Sequence, residues 1–391
     1  MTRVLVCVQP ARGHVGPTKP IVEALLAAGH DVTVVTGARY REAFGNATVK
    51  LLPPEADFDE TDLDGSIPGR AGLKGLKLAR FELTNFVRAM PAQLSVLDLD
   101  VDVDVVLCDP LFMAGLALVR REHRPRVLVL GFLPFMPPVP SGPDSAILKV
   151  LAPWVLRPAQ KQARTALGED PGMLFADWPL HSDGVLQMTC PGFEYPRANA
   201  PLHFIGPTTV SATAEHPLPP WWADLDGSRP IVHVTQGTVA NDDLGRLVEP
   251  AIAALAGEDV LVVATTCGGK LSPGPLPDNV RVAEFLPYDE LLPRCAAMVS
   301  NGGYGGVNQA LRYGVPLVVV GASEDKREVA ARVRWSGAGI GRTRASVPPK
   351  TLRRDIRAIL DEPRYRARAK ELAAEMAAGP SMDDVVKLIT A

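Results

Sequence analysis

At 391 residues the chain exceeds one ordinary core, so two domains are expected. Its 47% hydrophobic and 22% charged residues describe a soluble globular protein, and a net charge of −3 carries no overall nucleic-acid signature. Five scattered cysteines without a Cys-x-x-Cys pair argue against structural zinc and for a reducing compartment, and no apolar run nears the ~20 residues that span a bilayer. The start of the chain reads as a strand, not a signal peptide, so a cytoplasmic location is expected.

Residues 4–9 read as a buried strand, 17–28 as a helix with Pro17 in its first turn and Gly29 at its end, and 32–36 as the next strand. Strands separated by helical crossovers imply a parallel sheet covered on both faces. A third strand is expected at 49–52. Residues 57–72 are acidic and glycine-bearing, the composition of a mobile loop. Residues 73–90 form an expected helix with Leu76, Leu83, Phe86 and Val87 near one face. Strands follow at 103–108, which ends in Asp109-Pro110, and at 127–131, with a helix at 113–122 between them. The stretch 132–143 is rich in proline and apolar side chains and cannot join a sheet centre. Helical pattern then runs to 167, and 184–189 and 202–205 read as closing strands.

Residues 206–229 carry Pro207, Pro217, Pro219 and Pro220 and read as a linker. Alternation restarts with strands at 231–235, 260–265, 280–284, 295–299 and 317–320, a helix at 244–256, and an Ala/Arg/Leu-rich helical tail. The expected architecture is α/β: two Rossmann-like, doubly wound domains, 1–207 and 230–391, joined by 208–229. The last helix is free to pack back on the first domain. Such pairs of sheets bind small molecules in the cleft between them.

Four glycines mark Asn301-Gly302-Gly303-Tyr304-Gly305-Gly306, between the strand at 295–299 and a helix at 307–313 closed by Gly314 and Pro316. A glycine turn at the positive end of a helix dipole lets backbone N–H groups approach a phosphate or diphosphate. The alternative is a tight loop that merely needs positive φ. Two familiar phosphate loops are excluded. Gly269-Lys270-Leu271 lacks the first glycine and the hydroxyl of Walker A. The first strand runs into Pro10-Ala11-Arg12-Gly13-His14 and the second ends in Gly37, so the dinucleotide fingerprint is absent.

Several weak motifs fall in one order and spacing: Gly13-His14-x-x-Pro17, Thr235-Gln236-Gly237-Thr238, Phe285-Leu286-Pro287, Leu291-Leu292, the glycine turn, Gly314-Val315-Pro316 and Glu324-Asp325-Lys326. Together they resemble the UDP-glycosyltransferase superfamily, and within it bacterial enzymes that glycosylate natural products. The resemblance implies a GT-B fold and inverting transfer of a sugar from a UDP- or dTDP-linked donor to a hydrophobic small molecule. It implies no cofactor, no required metal, and a monomer or homodimer. It also implies donor contacts at Gly237, Thr238, Phe285, Leu286, Asn301, Gly303, Tyr304, Gly305, Gly306, Gln309, Asp325 and Lys326. Phe285 takes the place of an aromatic that stacks on the nucleotide base. Three positions depart from the pattern and bear on the donor's identity. Asn301 stands where the family usually has a histidine, Gln309 where it often has a glutamate, and Asp325-Lys326 where an Asp-Gln pair faces the donor sugar, so that Lys326 replaces the glutamine.

Transfer to a hydroxyl needs a group that removes its proton, and a histidine is neutral yet basic near neutral pH. His14 and Asp109 both follow the carboxyl ends of strands, the functional edge of a doubly wound sheet, where a carboxylate can fix the imidazole tautomer. Taken singly, His14 could cap a helix and Asp109 could be an ordinary turn former. His233, inside an apolar strand, reads as a satisfied core residue. The alternating Asp98, Asp100, Asp102 and Asp104 read as a solvated strand approach and not a metal site. Phe81, Phe86, Phe112, Phe132, Phe135, Met136 and Trp154 are candidates for an apolar acceptor pocket, with the 132–136 loop foremost. Two competing functions share the fold: a nucleotide-sugar epimerase and a non-catalytic donor-binding auxiliary protein.

Overall fold

The computed structural model of the protein describes residues 1–97, 103–135, 144–197, 200–208, 218–237, 243–322 and 325–391, the side chains of 144–151 excepted. They form two compact units. The first is Met1–Met188 with Arg197–Thr208 and Pro380–Ala391, the second Thr189–Pro196 with Thr209–Gly379. Part of the expected linker, 209–217, lies outside the described residues.

In the first unit, β1 (Arg3–Cys7), β2 (Asp31–Thr36), β3 (Thr48–Leu51), β4 (Val105–Cys108), β5 (Arg126–Gly131), β6 (Gly184–Gln187) and β7 (Leu202–Phe204) form one parallel sheet. Its order is β3-β2-β1-β4-β5-β6-β7. Leu5 and Cys7 enter the core on one face, and Val4, Val6 and Val8 enter it on the other. Burial on both faces is why these strands read as unbroken apolar runs.

The helices of this unit are α1 (Arg12–Ala27), α2 (Leu63–Ser66), α3 (Gly75–Arg88), α4 (Met90–Val96), α5 (Ala114–Leu118) and α6 (Asp144–Leu167). α1 begins five residues before the expected start at 17. The N–H groups of His14 and Val15 both donate to Ala11 O at 2.9 Å, so winding begins there and Pro17 and Pro20 lie inside the helix. The expected helix at 73–90 breaks at Ala89, because Pro91 suits the first turn of a new helix. The acidic 57–72 stretch carries α2, capped by Asp62, and Asp57 accepts from Ala38 N at 3.0 Å.

In the second unit, β8 (Ile231–Thr235), β9 (Leu261–Thr265), β10 (Val280–Ala283), β11 (Cys295–Ser300), β12 (Leu317–Val320) and β13 (Gly339–Arg342) run in the order β10-β9-β8-β11-β12-β13. Around them lie α7 (Val248–Leu255), α8 (Tyr288–Leu291), α9 (Tyr304–Arg312), α10 (Lys326–Ser336), α11 (Pro349–Asp361) and α12 (Pro363–Ala377). The sequence gives no strand signal at β13. Two of its four residues are glycines because a Cβ at Gly339 or Gly341 would strike the carbonyl oxygens of Leu317 and Ala330. The expected helix at 244–256 resolves into a 3₁₀ turn, Leu244–Arg246, and α7.

The final helix, α13 (Met382–Thr390), belongs to the first unit and packs on α1, with Val385, Val386 and Ile389 in the same cluster as Ile21, Val22 and Leu25. Ser381 and Asp384 form its capping box. Among the described residues, no helix is long and apolar enough to cross a membrane.

His233 in β8 has no exposed surface; its Nδ1 lies 2.9 Å from Val263 O and its Nε2 3.1 Å from the Tyr288 hydroxyl. Burial pushes its pKa from the ordinary 6.5 down to about 4. Protonation therefore favours the unfolded chain, so this contribution is present above pH 6.5 and lost as pH falls toward 4. In urea titrations, the stability difference between wild type and His233→Gln should shrink by about 3 kcal/mol from pH 7 to pH 4. A difference that stays constant contradicts the assignment.

Candidate functional site

Strand order reverses between β1 and β4, and Cys7 pairs in register with Cys108, so the loops after these strands leave the sheet side by side. Asp109, the first residue after β4, has no exposed surface. Its Oδ2 accepts Gln9 N at 2.9 Å and lies 2.7 Å from His14 Nδ1, while Oδ1 accepts Leu111 N at 2.8 Å. A carboxylate held by backbone donors makes His14 donate through Nδ1, which leaves Nε2 as the basic nitrogen. The imidazole is 16% exposed and its ring centre lies 4.7 Å from that of Phe132. Such a pair can take up a proton at Nε2 while the imidazole's orientation stays fixed.

Two supporting residues escape the sequence reading. Gln9 Nε2 donates to Leu111 O at 2.7 Å and joins the two loops from β1 and β4. Glu60 accepts Arg12 N at 2.9 and 2.8 Å, placing a carboxylate at the first turn of α1, the turn that carries His14. The acidic composition of 57–72 is the only sequence signal for it.

The acceptor candidates divide. Phe132 sits with His14, on the face of the sheet that carries Val4, Val6 and Val8. Phe112, Phe135 and Phe86 pack on the opposite face. Phe112 has no exposed surface and serves the core, and Phe135 also lies against the Arg197 guanidinium. Phe81 is half-buried beside the Gly69 turn, and Trp154 is exposed under the Arg80 guanidinium at 4.5 Å. Met136 lies outside the described residues.

The second sheet repeats the construction. Thr235 at the end of β8 pairs with Ser300 at the end of β11, again at the point where strand order reverses. Asn301 Nδ2 donates to Gln236 O and ties the two loops together; among the described residues its buried Oδ1 has no hydrogen-bond partner. Gly237, at φ 77, packs beside that amide. Thr238 lies outside the described residues.

Gly302 turns the chain at φ 94, in a space so tight that a Cβ would lie 2.8 Å from Val319 Cγ1. Gly303 is the N-cap of α9, and Gly305 and Gly306 stand in its first turn, earlier than the helix start expected at 307. The first N–H groups of a helix have no partner within it, and the space beside Gly303 and Gly305 is open. The turn therefore presents aligned donors at a positive helix end. Lys326 opens α10 and is only 8% exposed, its backbone carbonyl packed against Gly302. That burial contradicts a lysine pointing into solvent. Tyr304, Gln309 and Leu286 are buried, and Phe285 and Asp325 are half-buried.

Comparison with known proteins gives a consistent result. The family described as Erythromycin biosynthesis protein CIII-like, C-terminal domain, matches residues 249–391. The chain is 38% identical to 4'-demethylrebeccamycin synthase of Lentzea aerocolonigenes, covering 99% of this chain and 98% of the relative. It is 29% identical to UDP-glucosyltransferase B1 of Starmerella bombicola over 97% and 96% of the two chains. The crystal structure of the glycotransferase of kitacinnamycin superposes with a TM-score of 0.75 at 21% identity, over 99% of this chain and 98% of that one, and shares the fold.

Proposed function

The chain belongs to the erythromycin biosynthesis protein CIII-like glycosyltransferases, enzymes of the GT-B fold that move sugars from nucleotide donors onto small-molecule natural products, and from that membership we propose how its two units divide the reaction. The second unit holds a UDP- or dTDP-sugar, and the first holds a hydrophobic acceptor. The observation that carries this reading is the 2.7 Å contact between His14 Nδ1 and a fully buried Asp109.

The acceptor oxygen bonds to the anomeric carbon of the sugar as the bond from that carbon to the diphosphate oxygen breaks. The hydroxyl proton passes to His14 Nε2, and the nucleoside diphosphate leaves from the opposite face, so the configuration inverts. Asp109 keeps Nδ1 protonated and stabilises the imidazolium that forms. Charge developing on the diphosphate meets the first-turn N–H groups of α9, the Gly237 turn and the Lys326 ammonium. These donors supply the electrostatics without a metal. Asp104 is engaged instead by Arg3 N at 2.7 Å, and Asp98, Asp100 and Asp102 lie outside the described residues. With a net charge of −3 and five cysteines of which none forms a disulfide, the enzyme acts in the cytoplasm, as a monomer or homodimer and without a nucleic-acid partner.

Purified protein offered UDP- and dTDP-hexoses with aromatic aglycones in EDTA should yield a glycoside by mass spectrometry. His14→Ala should lower turnover by about 10²–10⁴. An empty panel, or unchanged turnover in the variant, overturns the reading.

Asn301 offers the phosphate region a neutral amide, so Lys326 carries the permanent charge there. Lys326→Gln should weaken donor KM or turnover by about tenfold, and adding Asn301→His should recover part of the loss. Unchanged donor kinetics in Lys326→Gln would assign the lysine to packing alone.

A further inference from the structure

Residues Thr189–Pro196 follow β6 in the chain yet pack entirely within the second unit. The segment is anchored by polar contacts, one of them fully buried. Glu194 Oε1 accepts Arg332 Nε at 2.8 Å and Nη2 at 2.6 Å, and both side chains are fully buried. Arg332 lies on α10, its guanidinium 4.5 Å from the centre of the Tyr195 ring. Gly192 N donates to Glu375 Oε2 at 2.8 Å. A buried ion pair contributes little net stability once desolvation is counted, so its value lies in fixing one geometry.

That geometry bears on α9. The Thr189 hydroxyl donates to Asn308 Oδ1, and Asn308 Nδ2 donates to Tyr304 O at 3.0 Å. Thr189 and Asn308 are each 1% exposed. A hydroxyl donor on one side and a carbonyl acceptor on the other permit a single orientation of the amide. The Tyr304 carbonyl and the Gly305 N–H belong to one planar peptide, so holding the carbonyl aims that N–H. Gly305 is exposed, with open space beside it. Phe193, fully buried, backs the same turn with its ring centre 6.3 Å from that of Tyr304.

We propose that Thr189 and Asn308 are positioning residues for the nucleoside diphosphate: the 189–196 segment sets the Asn308 amide, and the amide aims the Gly305 N–H at the phosphate. The inference rests on the glycine turn being the diphosphate site. Neither residue touches the reacting atoms, and the first turn of α9 depends on a contact made 119 residues earlier in the chain.

The test is calorimetric titration of wild type, Thr189→Val, Thr189→Ser and Asn308→Leu with UDP and dTDP, alongside thermal unfolding. Thr189→Val keeps the shape and loses the donor. It should weaken binding of the preferred diphosphate about tenfold, Thr189→Ser should restore it to within about twofold, and the unfolding midpoints of both should lie close to wild type. Asn308→Leu should weaken binding at least as much as Thr189→Val, which keeps the test decisive if the valine variant folds poorly. Wild-type affinity in both Thr189→Val and Asn308→Leu overturns the proposal while leaving the diphosphate site intact. A wild-type protein that binds neither nucleotide removes the site itself, and this inference with it.

Discussion

A carboxylate with no exposed surface has to be met by donors from its own chain, since burying an unpaired charge is very costly. Asp109 is met three times, by Gln9 N, Leu111 N and His14 Nδ1. Each donor comes from a different local structure: the loop after β1, the turn after β4 and the first turn of α1. The register of β1 on β4 is therefore tied to the place where α1 begins winding. The imidazole is fixed by the same requirement, with Phe132 behind it. One interaction thus sets strand pairing, helix start and the identity of the basic nitrogen.

The second sheet solves a related problem with a neutral group. At its switch point the Asn301 amide, not a carboxylate, joins the loops after β8 and β11. A neutral tether leaves the local field to α9 and to Lys326, which suits an anionic ligand better than a buried carboxylate would. The proposed diphosphate site accounts for the glycines, because N–H groups reach a ligand closely only where no side chain intervenes. The 189–196 segment is tied to α9 through the Thr189–Asn308 contact.

The sheets were legible because their strands are buried on both faces and read as continuous apolar runs; β13 was not, because close packing against Leu317 and Ala330 demanded glycine where a strand signal needs branched side chains. The start of α1 was misread because Pro17 suits a first turn, while the hydrogen bonds to Ala11 O begin the helix earlier. His14 and Asp109 could be nominated from their strand ends, though not their 2.7 Å contact. Gln9 and the Glu194–Arg332 pair carried no local signal and Glu60 only the acidic composition around it, since their partners lie 100, 138 and 48 residues away and are chosen by tertiary packing. Aromatic residues proved ambiguous for the opposite reason. Phe112 and Phe132 look alike in sequence and both are buried, yet they lie on opposite faces of the sheet and it is Phe132 that sits beside the imidazole.

The central claim is that His14 removes the acceptor's proton, and its most direct measurement is the transfer rate across acceptors of graded hydroxyl acidity, in wild type and His14→Ala. A positioned base matters most for a weakly acidic hydroxyl and least for one that ionises unaided. The wild-type to variant rate ratio should fall from about 10²–10⁴ with an aliphatic alcohol toward unity with a strongly acidic phenol. A ratio that stays the same across the series would contradict proton removal by His14 and leave it a binding residue.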